Sequence, residues 1–180
     1  MHIIERAKIV MGDTVVVQGA GAVGMCAAAL AREAGAGQVI VIGAPESRLQ
    51  LARTLGADHV ISLDLPPAER EAQVLALTGG LGADVVVEAA GSPRAFEEGV
   101  RLARNGGAYV IAGHYTNTGD STINAHEHIN RKHLDIRGCW GSEAGHFLRM
   151  LRILDRYRGQ IPFRDIGATT YGLSAINDAL

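Results

Sequence analysis

Six short apolar runs punctuate this chain, and between the first five the apolar residues fall at helical spacing. Strands are predicted over Thr14–Gln18, Gln38–Ile42, His59–Ser62, Asp84–Glu88, Ala108–Ala112 and Leu134–Gly138. Their Val and Ile residues follow one another without polar alternation, the mark of strands buried on both faces. Helices are predicted over Ala22–Ala34, Pro45–Leu55, Pro67–Thr78 and Arg94–Arg104. Strand–helix alternation of this kind calls for a parallel sheet covered by helices on both sides. Right-handed crossovers then favour an α/β fold with a doubly wound, six-stranded parallel sheet of Rossmann type, in one domain over residues 1–180.

Local signals agree. Gly56 follows Leu55 at the position where a helix ends in a left-handed residue. Pro45 and Pro67 stand at helix starts, where a missing N–H costs little. Gly106-Gly107 reads as the turn into the fifth strand. A later helix, Glu143–Tyr157, places Phe147, Met150, Leu151 and Leu154 on one apolar face. Tyr171–Leu180 reads as the opening of another helix, with Ser174 as N-cap and no stop signal after it. The chain is therefore expected to be a fragment.

Between the first strand and the first long helix lies Gly19-Ala20-Gly21-Ala22-Val23-Gly24, a G-x-G-x-x-G loop. The first glycine permits a tight turn out of the strand. The second lets a pyrophosphate approach the backbone. The third lets the helix pack on the sheet. Free N–H groups and the helix dipole favour an anion there. The motif alone is weak; following a strand and opening a helix inside a βαβ unit, it points to a dinucleotide. A methyltransferase sheet would want an acid at the end of the second strand, and none stands there.

That missing acid also bears on which dinucleotide binds. An Asp or Glu about twenty residues past the loop grips the adenosine ribose of NAD, and here the strand ends at Gly43. Gly43 leaves room for the 2′-phosphate of NADP, but Ala44, Pro45 and Glu46 bring no cation. Glu46 is placed to reach the ribose, and Arg48 to reach ribose or phosphate. Equally, both fit a solvated first helical turn. The balance tips towards NAD over NADP.

The segments VVVQGAGAVGMCAAALAREAGA, VIVIGAPESRLQLARTLGADHVI and GADVVVEAAGSPRAFEEGVRLARNGGAYVIAG, in that order, resemble the coenzyme domain of the medium-chain, zinc-type alcohol dehydrogenase family. The resemblance covers nearly the whole chain. It implies that Gly19, Gly21, Ala22, Val23 and Gly24 form the pyrophosphate loop, and that Gly43, Glu46 and Arg48 lie near the ribose. Ala89, Ala90 and Gly91 resemble the adenine-side wall. Ala112, Gly113 and His114, with Gly138, Cys139 and Trp140, resemble the backbone bordering the nicotinamide; Cys139 and Trp140 fit a core role equally well. Family members carry a separate catalytic domain that supplies zinc ligands and much of the substrate pocket. It has no counterpart here, so no catalytic or metal residue is assigned and zinc is expected only in that domain. The segment Ser121–Ile129 resembles the edge strand that family members pair across a twofold axis, which implies a homodimer.

Other readings stand beside this one: the same domain from a zinc-free quinone or enoyl reductase, or a non-catalytic dinucleotide-binding module. His126 and His128 would share a face of a strand, flanked by His114 and His133, yet no Cys-x-x-Cys or His-Glu-x-x-His accompanies them, so a metal site is not expected. Glu88, an acid ending an apolar strand, is read as a satisfied carboxylate beside the loop. No Tyr-x-x-x-Lys, Gly-x-Ser-x-Gly or Walker pattern occurs. A formal net charge of −2 makes no case for nucleic acid or an anionic membrane. No run is long and apolar enough to span a bilayer. Two cysteines are too few for a disulfide scaffold, which fits a cytoplasmic protein.

Overall fold

A computed structural model of the protein describes residues 1–167 and 171–178. The elements run α1 (His2–Ala7), β1 (Thr14–Gln18), α2 (Ala22–Glu33), β2 (Gln38–Gly43), α3 (Glu46–Thr54), β3 (His59–Ser62), α4 (Pro67–Leu77), β4 (Ala83–Glu88), α5 (Pro93–Leu102), β5 (Ala103–Ile111), β6 (Asp135–Gly138) and α6 (Ala144–Arg156). All six strands are parallel, in the order β3-β2-β1-β4-β5-β6. This is the doubly wound order expected from the sequence, and it reverses direction between β1 and β4.

Side chains along each strand point to alternate faces, and both faces are apolar because helices cover both. Val15, Val17, Val39, Val41, Val85 and Val87 pack on one side against Ala27, Ala28 and Ala31 of α2 and Leu49 and Ala52 of α3. Val16, Ile40, Ile42, Val86 and Tyr109 face the other side, against Val74 of α4 and Val100 and Leu102 of α5. The alanines of α2 let its axis lie close to β1. Burying a Val or Ile side chain contributes about 1.5–3 kcal/mol, so the central strands anchor the domain.

Several boundaries differ from expectation. Helix α5 stops at Leu102 because Ala103 turns extended and β5 begins there. Gly106-Gly107 lies inside β5, at an irregularity in its pairing with β4; Gly106 takes a φ of +69° and donates its N–H to the Lys132 carbonyl. Helix α1 was not expected. Segment Ser121–Ile129 is not a strand. Asn124 Oδ1 accepts the N–H groups of His126 and Glu127 at 3.0 and 3.2 Å, which starts the π-helical turn His126–Asn130. Asn is a strong helix-starting side chain, and this cap turns the chain away from the extended strand that the resemblance implied. The apolar face of α6 exists, but Phe147, Leu151 and Leu154 are exposed. Ser174 lies inside a 3-10 segment, Leu173–Asp178, rather than capping a longer helix; the rest of that expected helix, residues 179–180, lies outside the described residues.

Asp84 of β4 ties the starts of three strands. Its Oδ2 accepts the Thr14 N–H of β1 at 2.7 Å, and its Oδ1 accepts Arg104 Nε of β5 at 2.6 Å. Burial pushes the Asp84 pKa up, but the Arg104 and Thr14 hydrogen bonds more than offset this and hold it below the usual carboxylate value. A depressed folded pKa adds stability that is complete above the unfolded value, near ~3.9, and is lost as pH falls through the folded value. The difference in urea stability between the parent and Asp84→Asn should therefore narrow as pH drops below about 4. A difference that stays constant from neutral pH into strong acid contradicts this role.

Candidate functional site

The strand order reverses between β1 and β4, so their C-terminal ends splay apart and leave a crevice. The G-x-G-x-x-G loop crosses that crevice, and each glycine meets a different constraint. Gly19 has a φ of +115°, and a Cβ there would lie 2.8 Å from the Ala89 carbonyl oxygen. A Cβ on Gly24 would collide with the Gly19 carbonyl. These two glycines are needed for packing. Gly21 is not: its φ and ψ of −77° and 179° suit any residue, and a Cβ there would meet nothing within 4 Å. Gly21 is also the N-cap of α2, without a capping side chain and without an acid in the first turn. The first N–H groups of such a helix have no intrahelical partner, and the dipole adds partial positive charge. The donor set and the open approach over Gly21 fit an anion such as a pyrophosphate.

Glu88 builds the facing wall. It ends β4, is fully buried, and accepts three backbone N–H groups. Ala90 and Gly91 donate to Oε1 at 2.7 and 2.5 Å. Gly113 donates to Oε2 at 3.0 Å. The loop after β4 is thus stitched to the loop after β5. The contact is tight: Gly91 has a φ of +67°, and a Cβ on it would lie 2.5 Å from the Gly113 carbonyl oxygen. Ala89 donates its N–H to the Gln18 carbonyl at 2.8 Å, and Ala112 to the Glu88 carbonyl at 2.9 Å. Ala89–Gly91 and Ala112–His114 are therefore brought together. His114 Nε2 is buried, has no hydrogen-bond partner among the described residues, and lies 3.9 Å from Glu88 Oε2. Glu88 is the satisfied strand-end carboxylate that the sequence suggested.

Two cavities flank the loop. One, of about 750 Å³, lies towards β2 and β3 and is lined by Gly19, Ala20, Gly43, Leu63, Arg70 and Ala90, among others. The other, of about 610 Å³, lies towards β5 and β6 and is lined by Ala22, Val23, Ala112, Tyr115 and Cys139, among others. Cys139 is half-buried at the end of β6, and burial pushes its thiol pKa up. Trp140 is exposed.

The ribose-side residues are less clearly converged. A Cβ on Gly43 would lie 2.5 Å from Ala20 Cβ, so an acid at this position would have to displace the phosphate loop. The Glu46 carboxylate accepts Gln50 Nε2 at 2.5 Å and Arg53 Nη1 at 3.5 Å, which directs it along α3. Arg48 is half-buried on the same helix.

A buried network under the first cavity was missed in the sequence. Arg70 of α4 donates from Nε to Glu98 Oε1 at 2.7 Å and from Nη1 to the Leu63 and Leu65 carbonyls. Gln18 donates to Glu98 Oε2 at 3.2 Å, and the Tyr109 hydroxyl donates to Gln18 Oε1 at 3.1 Å. Burial, then the nearby Glu88 and Glu98 charges, push the Tyr109 pKa up. The available signal was Gln18, a polar residue ending an otherwise apolar strand. Among the described residues, no three His, Cys, Asp or Glu side chains gather as metal ligands, so they do not fit a zinc ion.

Glu88→Gln would replace one acceptor oxygen with a donor facing backbone N–H groups. It should cost about 3 kcal/mol in chemical denaturation and loosen both loops. A variant as stable as the parent contradicts the stitch.

The comparisons with known proteins agree with this geometry. Residues 22–156 match the family model described as zinc-binding dehydrogenase. The chain is 37% identical over 171 residues to 5-exo-hydroxycamphor dehydrogenase of Pseudomonas putida, covering 94% of this chain and 47% of that protein. It superposes on benzyl alcohol dehydrogenase of Acinetobacter calcoaceticus with a TM-score of 0.84 at 27% identity, covering 99% of this chain and 48% of that one. It also superposes on a candidate zinc-binding dehydrogenase of Sinorhizobium meliloti, solved bound to NADP, with a TM-score of 0.73 at 28% identity, covering 85% of this chain and 44% of that one. The chain thus spans about half the length of these proteins. It belongs to the zinc-binding dehydrogenase family, as a coenzyme-binding domain of the kind its motifs resemble.

Proposed function

We propose that this chain binds a nicotinamide dinucleotide across the N-terminus of α2, and that it serves an oxidoreductase passing hydride between an alcohol or carbonyl compound and the coenzyme. One observation carries the reading: cavities of about 750 and 610 Å³ lie on either side of the uncapped α2 N-terminus. A dinucleotide is two nucleosides joined by a pyrophosphate, and this arrangement matches it part for part. The adenosine half belongs with Gly43, Ala44 and Ala90, and the nicotinamide half with Val23, Ala112 and Cys139. The coenzyme supplies the hydride acceptor or donor; this chain's residues hold and orient it. The chain spans about half the length of the relatives it matches, and it is expected to bind the coenzyme without turnover. Two free cysteines support a cytoplasmic setting.

Calorimetric titration with NAD, NADH, NADP and NADPH tests the reading, and folded protein that binds none of them overturns it. NAD(H) should bind more tightly than NADP(H), because Glu46 places negative charge in the first turn of α3, just past β2. Its contacts along α3 and the absence of an acid at Gly43 keep the preference below about tenfold, or 1.4 kcal/mol. A tenfold preference for NADP would assign the dominant role to Arg48.

We also infer that two copies associate through the segment at 121–129, as a packed loop and turn rather than a paired strand. Ser121 and Thr122 are held against α5 by hydrogen bonds to the Pro93 carbonyl and the Glu97 carboxylate, which fixes the segment in place. Sedimentation at high micromolar concentration should report a dimer; a monomer there contradicts the inference.

A further inference from the structure

The loop that joins β6 to α6 is held from outside the sheet. Cys139, Gly141 and Ser142 of this loop line the nicotinamide-side cavity, and so does Phe147 near the start of α6. Burial does little to place them. Of the α6 residues only His146 is buried, while Phe147, Leu148 and Leu151 are exposed. A segment with so little buried apolar surface is easily displaced, and polar contacts with the short helix α1 decide its pose. Arg6 donates from Nε to the Gly138 carbonyl at 2.9 Å, and His2 donates from Nδ1 to the Gly141 carbonyl at 2.9 Å. These two contacts bracket Cys139.

His146 extends the same ties into α6. Its Nδ1 accepts the N–H of Glu143, the N-cap of α6, at 2.8 Å. That bond assigns the proton of the neutral ring to Nε2, which faces Glu5 Oε2 of α1 at 3.2 Å. Arg149 of α6 meets the other Glu5 oxygen at 2.5 Å. The His2 and His146 rings stack, with centroids 4.8 Å apart and planes at 15°. Helix α1 is itself fastened to β6, because Arg137 Nη1 donates to the Arg6 and Ala7 carbonyls at 2.8 and 2.9 Å. Strand β6, α1 and α6 therefore surround the loop with contacts on each side.

We propose that α1 is a clamp for the nicotinamide ring: His2, Arg6 and His146 are positioning residues that set the pose of the loop at 139–143, against which the ring lies. The proposal rests on the coenzyme reading and adds residues that govern one half of that site. No residue of α1 lines the cavity towards β2 and β3. The clamp therefore acts on the ring and leaves the rest of the coenzyme alone.

ADP-ribose carries every part of the coenzyme except the nicotinamide ring, so it is the internal comparison. Parent, His146→Ala, His146→Gln and Arg6→Met are titrated calorimetrically with NADH and with ADP-ribose, and the emission of bound NADH is read at saturation. The parent should bind NADH more tightly than ADP-ribose. His146→Ala should weaken NADH about fivefold and lower its bound emission, while ADP-ribose stays within about twofold of the parent. His146→Gln should recover most of both, because a glutamine three residues past the N-cap can again accept the N-cap N–H. Arg6→Met removes the Gly138 contact and leaves α6 untouched. It should show the same selective loss, and it decides the matter if His146→Ala does not fold. Unchanged NADH affinity in folded His146→Ala and Arg6→Met, equal losses for NADH and ADP-ribose, or a His146→Gln protein as impaired as His146→Ala overturns the proposal. A parent that binds ADP-ribose as tightly as NADH sinks the clamp alone, and a folded parent that binds neither sinks the coenzyme reading with it.

Discussion

A fully buried carboxylate must be compensated, and Glu88 is compensated by backbone. Its two oxygens take N–H groups from the loops after β4 and β5, so those loops have one arrangement rather than many. The consequences pass along a line of close contacts. Gly91 lies against Gly113, Ala89 against Gly19, and Gly19 against Gly24 at the first turn of α2. Each contact excludes a Cβ, so the position of the α2 N-terminus is set by packing that begins at Glu88. An anion site made of N–H groups and a dipole works only if its donors are held in place before the anion arrives. The stitch at Glu88 provides that order without using any of the donors that the anion needs.

The same constraint divides the crevice. With the loop fixed, space remains on either side of it, and the two sides differ in chemistry. The side towards β2 and β3 has a polar floor, where Arg70, Glu98, Gln18 and Tyr109 satisfy one another. Breaking such a buried pair by removing one partner costs about 3–5 kcal/mol, so this floor is rigid. A Cβ on Gly99 of α5 would lie 2.5 Å from Gln18 Oε1, which shows how closely α5 is drawn onto the network. The side towards β5 and β6 is apolar, lined by Val23, Cys139, Tyr115 and Phe147. One half has the polar partners that a nucleoside would need; the other has the flat apolar lining that suits a ring.

Strand positions were legible because two-sided burial demands unbroken runs of Val and Ile, and VVV, VIVI and VVV leave no other reading. The glycine loop was legible because three glycines stand at fixed spacing after a strand, two of them at close backbone contacts and the third beside open space. Features that depend on distant partners were not. Nothing local in Arg70 or Glu98 announces a buried pair, since both sit on helices where charge usually means solvent. The segment at 121–129 was misread because its resemblance to a pairing edge strand was weighed above the capping ability of Asn124, which acts over two and three residues. Glu46 was left open between the ribose and a solvated helical turn, because an acid in a first helical turn also has its own helix to bond; its contacts with Gln50 and Arg53 run along that helix.

The account depends on Gly21 being a glycine for the sake of a ligand rather than of the fold. Its backbone is one that any residue adopts, and a side chain there would meet no protein atom within 4 Å. The most direct test compares the parent and Gly21→Leu for thermal stability and for NADH affinity by calorimetry. The predicted result is a melting temperature close to the parent's with coenzyme binding lost or reduced by at least about tenfold, because the side chain occupies the pyrophosphate's approach. A Gly21→Leu protein that binds NADH as tightly as the parent would contradict the account.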